Sequence, residues 1–333
     1  MIAQVDKAYI RERPISGLRR IVTRLLFEGR PATTNYRWIN PIIFAHFALE
    51  KKLDCWNSVN QPIFIMGSGR SGTTILATLL SFHPHVGLLN EPKAMWYSIY
   101  KGEDVNGNYT TTLPARYQLL SSDVNGRIKQ RAHRLFGAYS TLTFSHRIID
   151  KNPEVVFRVP FIQAIFPDAK FIFLIRNGWD TIGSIACWSK LNAVQVNGEV
   201  HNWWGVNNRK WDIMFNELVV GNGFFAGREE RIKHFERQID KAAVEWLVTI
   251  QAGIAQYQNQ PGDIYLLHYE DLVQNPQNFL NEVCEFCDLP YDNKLMQYAS
   301  KRLGKALPYE TVVLDSAIAD LFQQQAEAIA QLK

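Results

Sequence analysis

The sequence predicts an α/β fold in which helices surround a parallel sheet over residues 61–310. Two segments repeat the order of strand, tight turn and helix, and each turn carries an arginine, Arg70 in the first and Arg176 in the second. Short continuous apolar runs, such as residues 169–175, are typical of strands that are buried on both faces of a sheet. Between these runs, apolar residues recur at steps of three and four, as they do in amphipathic helices.

Composition limits the class of protein. The 333 residues are 47% apolar and 12% aromatic, which is enough to bury a large core. A formal net charge of +4 is too small to indicate a nucleic-acid partner, and a small anionic ligand suffices to explain it. The four cysteines form no disulfide framework, and Cys284 and Cys287 lie in an apolar helical run that favours buried thiols over a zinc site. We therefore expect a globular protein, and no metal motif appears in the sequence.

The chain begins with a predicted helical extension, residues 1–60. Between residues 10 and 27, arginines alternate with large apolar residues. One interpretation is a helix packed on the body with solvated arginines, which we favour. The other is a basic amphipathic face that lies on an anionic membrane. No apolar run approaches the length of a membrane span, so we expect a cytoplasmic protein, with peripheral membrane contact as the open alternative.

Residues 62–91 are the segment around which the fold is organised. The apolar run 63–66 predicts a strand, a loop rich in glycine follows, and residues 75–80 predict a helix. Glycines allow a tight turn close to a ligand, and the free N–H groups at a helix N-terminus attract an anion. The residues predicted to cradle the anion are Gly69, Arg70, Ser71, Gly72, Thr73 and Thr74.

Three interpretations of this loop compete. Gly67 and Gly72 have the spacing of a P-loop, but Thr73 occupies the position of the lysine that contacts the β- and γ-phosphates. The glycines also fit a dinucleotide-binding fingerprint, with Glu91 near the distance of the acid that binds ribose. In the third interpretation, Arg70 reaches an anionic group that is being transferred. The loop alone leaves these alternatives open.

Two later segments add cations at strand ends. Arg176 follows the strand at 169–175, and Ser184 lies eight residues further on in a predicted helix, which indicates a second anion site that a dehydrogenase does not require. Residues 147–153 predict a short strand that ends in a turn, with Lys151 at the carboxyl end of the strand. Parallel sheets bind their ligands outside the carboxyl ends of the strands, so we expect Lys151 at the site.

The other elements complete the predicted chain. Residues 116–139 have helical spacing with a basic face, and residues 231–257 form the longest helical pattern. Residues 190–230 are rich in asparagine, glycine and tryptophan and are a candidate lid. A buried strand is predicted at 264–268, and residues 311–333 form a helical tail.

The loop Arg70-Ser71-Gly72-Thr73-Thr74 resembles the 5′-phosphosulfate loop of sulfotransferases that use 3′-phosphoadenosine 5′-phosphosulfate (PAPS). It matches the arginine form found in bacterial, carbohydrate and tyrosylprotein sulfotransferases. Residues 83–86 and 90–92 also look like that branch. The resemblance implies that Glu91 acts as the general base, and that Arg70 and Lys151 stabilise charge on the sulfuryl group.

The resemblance also implies how the rest of the donor is held. Arg176 and Ser184 occupy the two positions of the family's 3′-phosphate motif, although Asn177 and Gly178 replace the usual aspartate and proline. Lys301 and Lys305 resemble the basic C-terminal loop that closes over the cofactor phosphates.

The predicted function is thus transfer of a sulfuryl group from PAPS to an acceptor hydroxyl, which leaves 3′,5′-bisphosphoadenosine. A carbohydrate, a glycolipid or another small alcohol is the expected acceptor. Two alternatives stay open: an NAD(P)-dependent Rossmann oxidoreductase, and a non-catalytic nucleotide-binding protein that docks on membranes. The sequence leaves the acceptor and the oligomeric state undetermined.

Overall fold

The computed structural model describes residues 5–304 and 311–332 and confirms the predicted α/β fold. Its strands are β1 Ile63–Gly67, β2 Val86–Asn90, β3 Arg147–Lys151, β4 Lys170–Ile175, β5 Val194–Val196, β6 Glu199–Asn202, β7 Gly205–Val206 and β8 Ile264–His268. Its α-helices are α1 Lys7–Glu12, α2 Pro14–Leu26, α3 Asn40–Glu50, α4 Thr73–Ser81, α5 Lys93–Ile99, α6 Gly126–Thr143, α7 Val159–Ile165, α8 Gly178–Asn192, α9 Arg209–Met214, α10 Glu229–Lys233, α11 Gln238–Asn259, α12 Tyr269–Gln274, α13 Pro276–Phe286, α14 Asn293–Arg302 and α15 Ala319–Gln331.

The central sheet runs in the order β2-β3-β1-β4-β8, and every pairing within it is parallel. All five residues of β1 are buried, as a strand covered by helices on both faces requires. Alternate side chains point to opposite faces, so Phe64 joins one apolar cluster and Ile65 the other. Phe64 stacks on Phe171 of the neighbouring strand, with ring centroids 5.5 Å apart. The core therefore lies on both sides of the sheet.

The helix predicted at 116–139 is shorter in the structure, because α6 begins at Gly126. The side chain of Asn125 accepts hydrogen bonds from the backbone N–H groups of Arg127 and Ile128 and so fixes the start of the helix. Upstream, the Asp123 carboxylate accepts from the backbone N–H of Leu120 and closes a separate 3₁₀ turn. Local side-chain caps divide a continuous helical pattern into two elements.

The candidate lid region contains more regular structure than its composition indicates. Helix α8 continues to Asn192, and β5, β6 and β7 then form a small antiparallel sheet. Asn197 and Gly198 connect β5 to β6, both with positive φ, as a tight hairpin turn of this hand requires.

The prediction of solvated arginines on α2 is wrong for Arg19 and Arg20, which are both buried. The Arg19 guanidinium donates to the backbone carbonyls of Thr143 and Phe144 at the end of α6, and to those of Pro84 and Val86 before and in β2. Carbonyls at a helix C-terminus lack intrahelical partners and attract a cation. Because Arg19 donates to these carbonyls, the polar side of α2 faces the body of the protein. Among the helices described, none has the length and apolar character needed to span a membrane.

Candidate active site

The site lies at the carboxyl edge of the central sheet. Parallel strands end at the same edge, so the loop after β1, Glu91 after β2, Asn152 after β3 and Arg176 after β4 converge there. Strand β1 pairs with β3 on one side and with β4 on the other, so the strand order changes direction there. Such a topological switch point leaves a crevice outside the carboxyl ends of the strands. A cavity of about 580 Å³ occupies it. Its walls include Gly69, Arg70, Gly72, Thr73, Thr74, Glu91, Lys151, Arg176 and Ser184.

The loop after β1 is shaped by close packing. Gly72 has φ of +100°, and a Cβ atom on it would lie 2.5 Å from the Tyr269 ring. A Cβ atom on Gly69 would lie 2.5 Å from the Trp203 ring. Within the described chain no side chain caps α4, and Thr73 and Thr74 in its first turn line the crevice, so the unpaired N–H groups at the start of this helix are available there. Ser71 is fully buried beneath the loop, where its hydroxyl donates to the carbonyl of Ser68.

Arg176 and Ser184 lie directly against this loop. A guanidinium nitrogen of Arg176 donates to the backbone carbonyl of Arg70 at 3.3 Å, and Arg70 Nε donates to the Ser184 hydroxyl at 3.1 Å. The Arg176 guanidinium also lies 5.0 Å from the centroid of the Tyr269 ring and bonds to Asp180 at 3.2 Å. The two cationic turns therefore form one continuous surface.

Glu91 and Lys151 form an ion pair on the opposite wall. The Lys151 Nζ atom lies 2.5 Å from Glu91 Oε1, and Lys151 is buried whereas the Glu91 side chain is 43% exposed to the cavity. Glu91 has φ of +49°, a left-handed conformation that its backbone hydrogen bonds to Lys151 and Lys93 hold in place. Burial by itself would raise the pKa of Glu91, but the charges of Lys151 and Lys93 outweigh it and lower that pKa. At neutral pH, Glu91 is therefore a carboxylate.

A second set of charges, absent from the sequence prediction, lies beside this pair. Lys93 Nζ bonds to Glu154 at 3.0 Å, and Lys210 Nζ bonds to Glu245 at 2.5 Å. Burial by itself would raise the pKa of Glu154, but the charges of Lys93, Lys210 and Arg158 outweigh it and bring that pKa to about 2. The position of Lys93 two residues after Glu91 was a signal available in the sequence, because both begin the segment that follows one strand.

The small antiparallel sheet forms part of the roof of the cavity. Trp203 follows β6, contacts the loop at Gly69 and donates its indole N–H to Glu245 at 2.5 Å. Trp188 packs edge-on against Trp203, with ring centroids 5.3 Å apart. Both rings line the cavity, together with His201 and Asn202. Movement of this region as a lid stays a prediction.

The predicted basic C-terminal loop, with Lys301 and Lys305, does not line this cavity as far as the chain is described. Lys301 is exposed in the last turn of α14 and does not line the cavity, and Lys305 lies outside the described residues. Across residues 5–304 and 311–332, no group of three or more His, Cys, Asp or Glu side chains is arranged to hold a metal ion.

The chain matches the model of a family described as the sulfotransferase family over residues 62–212 and 222–293. A putative protein-tyrosine sulfotransferase of Caenorhabditis briggsae is 22% identical over 247 residues, which cover 73% of this chain and 70% of the relative. Protein-tyrosine sulfotransferase A of Caenorhabditis elegans is 22% identical over 264 residues, covering 78% of this chain and 58% of that protein.

Among solved structures, a sulfotransferase from Mycobacterium tuberculosis aligns with a TM-score of 0.48 and 13% identity, covering 97% of this chain and 93% of that one. The family model covers the anion-binding loop, Glu91, Lys151, Arg176 and Ser184. This match extends over well more than half of the chain, and the protein belongs to the sulfotransferase family.

Proposed function

We propose that this protein transfers a sulfuryl group from PAPS to an acceptor hydroxyl and releases 3′,5′-bisphosphoadenosine. The observation that supports this most directly is the contact of Arg176 with the backbone of Arg70. It joins an anion position at a helix N-terminus to a second cation at a neighbouring strand end. PAPS carries anionic groups at two ends of one adenosine, and two adjacent cationic turns fit that distribution of charge.

The donor is proposed to bind across these turns. The 5′-phosphosulfate would be held by the loop Gly69, Arg70, Ser71, Gly72, Thr73 and Thr74, and chiefly by its backbone N–H groups, since Ser71 is buried below it. The 3′-phosphate would be held by Arg176 and Ser184. Arg176 Nε is buried and has no hydrogen-bond partner in the described part of the chain, so this guanidinium has a donor to offer.

The transfer step is proposed to use Glu91 and Lys151 on the opposite wall of the cavity. The acceptor oxygen attacks sulfur in line with the bridging oxygen, the bond from sulfur to that oxygen breaks, and the leaving 5′-phosphate keeps the electron pair. The proton of the acceptor hydroxyl passes to the Glu91 carboxylate, whose lowered pKa keeps it ionised. Lys151 and Arg70 stabilise the charge on the sulfuryl and bridging oxygens.

The acceptor is proposed to enter beside Glu91, where the cavity wall is rich in neutral polar groups. These groups are Thr33, Thr34, Asn106, Asn108, Tyr109 and Asn202. Amides and hydroxyls of this kind bind polyhydroxylated molecules, and Trp203 adds a flat apolar face. A carbohydrate, a glycolipid or another small alcohol fits this lining.

The test has two stages. First, 3′,5′-bisphosphoadenosine should raise the melting temperature of the protein, and NAD(P) should not. Second, a panel of carbohydrate, lipid-linked and small alcohol acceptors is incubated with radiolabelled PAPS, with Glu91→Gln as the inactive control. Donor binding without label transfer to any acceptor class would instead support the non-catalytic nucleotide-binding alternative. Binding of NAD(P) alone would support the oxidoreductase, which the family match disfavours.

A further inference from the structure

Helix α2 buries its polar side and exposes its apolar side, the opposite of an ordinary surface helix. Its buried positions are polar and include Arg19, Arg20 and Thr23, whereas Leu18 is 62% exposed and Leu25 is 49% exposed. Amphipathic helices at the surface of a protein normally turn their apolar stripe to the core. The spacing of Ile15, Leu18, Val22 and Leu25 follows one side of a helix. The apolar stripe of α2 therefore faces away from the body of the protein.

The segment after α2, whose helix α3 packs on α2, exposes further large apolar residues. Tyr36 and Trp38 are exposed in the turn before α3, and Trp38 is 69% exposed. Helix α3 packs against α2 and, like α2, against α6, and it exposes Ile42 and Leu49. We call these residues the N-terminal apolar face: Ile15, Leu18, Leu25, Tyr36, Trp38, Ile42 and Leu49. Groups of large exposed apolar residues on neighbouring elements are a feature of docking sites.

The charge around this face is positive. Residues 1–52 contain ten Lys and Arg against four Asp and Glu, whereas the whole chain has 36 against 32. Two of those four acids, Glu28 and Glu50, are buried, and so are three of the ten cations, Arg19, Arg20 and Arg30, which leaves seven cations and two acids outside the core. Arg11 is largely exposed, Arg24 is partly exposed and Lys52 is exposed. The excess positive charge of the chain is thus concentrated in the segment that carries the N-terminal apolar face.

We propose that the N-terminal apolar face docks the protein on an anionic lipid bilayer. An amphipathic helix in the plane of a membrane buries leucine and isoleucine at the acyl boundary and places arginine at the headgroups. Exposed tryptophan and tyrosine are the residues that occupy this interfacial layer. Acidic lipids supply the charge that the excess of arginine and lysine requires. The proposal concerns attachment only and does not depend on the identity of the donor or acceptor.

Docking of this face would place the cavity next to the bilayer. The connection between α2 and α3 supplies part of the cavity wall through Gly29, Pro31, Thr33 and Thr34. Arg24, on α2 itself, also lines the cavity. The segment that carries the N-terminal apolar face therefore also lines the cavity.

The test is flotation of the full chain with vesicles of phosphatidylcholine alone and with vesicles that contain about one third phosphatidylglycerol. We expect at least roughly tenfold stronger partitioning into the anionic vesicles, reduced severalfold by about 0.5 M NaCl because salt screens the basic residues. The double variant Leu18→Ser and Leu25→Ser should lower the partitioning by about tenfold or more. Its melting temperature should stay near that of the wild type, since both side chains are exposed.

The matched control is Leu191→Ser with Val313→Ser, two aliphatic residues exposed elsewhere on the protein, which should leave partitioning unchanged. Equal partitioning of the wild type into neutral and anionic vesicles would overturn the proposal, as would an equal loss in both double variants. Light scattering provides the last arm. A dimer that disappears in Leu18→Ser with Leu25→Ser, with no vesicle binding by the wild type, would assign the face to a second copy of this chain and also overturn the proposal.

Discussion

The Nζ atom of Lys151 lies 2.5 Å from Oε1 of Glu91, although the two residues are sixty positions apart in the chain. The parallel register of β2 and β3 creates this contact, because Asn90 is paired with Lys151 and the next residue is Glu91. A buried ammonium group thus holds a cavity-facing carboxylate in its ionised form. The pair brings a carboxylate and a cation to one point, which is what the proposed transfer to a hydroxyl requires.

The first prediction concerns Glu91→Gln. The amide retains the shape of the side chain but does not take a proton, so kcat should fall by roughly 10²- to 10⁴-fold. The dissociation constant for 3′,5′-bisphosphoadenosine, measured by calorimetry, should change little. Glu199→Gln is the matched control, since Glu199 is as exposed as Glu91 but does not line the cavity. A kcat near that of the wild type would remove Glu91 from the role of base.

The second prediction concerns pH. A base must be deprotonated in the free enzyme, and the charges of Lys151 and Lys93 overcome the effect of burial and lower the pKa of Glu91 below its ordinary value of 4.5. In the pH profile of kcat/KM, the midpoint of the acid limb should therefore lie below pH 4.5. In Lys93→Met, which removes one of the two cations, that limb should move to higher pH. A limb that stays in place in Lys93→Met would contradict the electrostatic assignment.

The third prediction concerns the second anion position. Arg176→Ala and Ser184→Ala should each weaken binding of 3′,5′-bisphosphoadenosine by roughly ten- to a hundredfold, because each removes a hydrogen bond to a charged group. Binding of adenosine 5′-monophosphate should change much less. Ser189→Ala is the control, because Ser189 lies on the same helix but bonds to Gln238. Equal losses on both nucleotides would place the 3′-phosphate elsewhere.

The fourth prediction concerns Asp150, which is fully buried behind Lys151. Burial raises the pKa of Asp150 to about 7, although a hydrogen bond from Trp96 opposes it. The folded protein therefore keeps a proton that the unfolded chain releases near the ordinary value of 3.8. The resulting stability is complete below that value and is lost as pH rises through about 7.

Asp150→Asn has no such proton to lose. As pH rises, its free energy of unfolding should therefore increase relative to that of the wild type. The gain should reach at most about 1.4 kcal/mol per pH unit and should level off above the pKa of Asp150. Urea unfolding at a series of pH values measures it. A difference between the two proteins that is independent of pH would contradict the assignment.

The fifth prediction concerns Arg19→Met. The substitution keeps much of the volume but leaves four backbone carbonyls without their donor, so it should lower the free energy of unfolding by roughly 3 kcal/mol or more. Arg11→Met, at an exposed position of α1, should change it by no more than about 0.5 kcal/mol. Chemical denaturation distinguishes the two outcomes, and similar small losses would show that Arg19 contributes little.

The sheet and the contacts between its turns were accessible from the sequence because they follow from local patterns. A continuous apolar run before a glycine-rich turn leaves few options for residues 63–74, and parallel strands place Arg70, Lys151 and Arg176 at one edge. The hairpin after α8 had a signal that the prediction did not use. Asn197-Gly198 lies between two segments in which valines alternate with polar residues, a pattern that favours a hairpin with a tight turn.

The orientation of α2 and the carboxylate partners of Lys93 and Lys210 were not accessible in this way. A helical pattern shows two faces but does not say which one is buried, and here the carbonyls after α6, far along the chain, decide it for Arg19. Likewise Lys210 and Glu245 become partners only through the packing of α9 on α11. Long-range contacts of polar groups leave no periodic trace in the sequence.

The left-handed backbone at Arg70 and Glu91 limits how this enzyme can diversify. Such a conformation costs about 1–2 kcal/mol for residues other than glycine, and β-branched side chains tolerate it least. In a saturation library at position 91, glycine, asparagine and aspartate should therefore be recovered as folded protein more often than valine, isoleucine or threonine. Only a few types of side chain can therefore replace Glu91 without loss of folded protein, whichever acceptor is used.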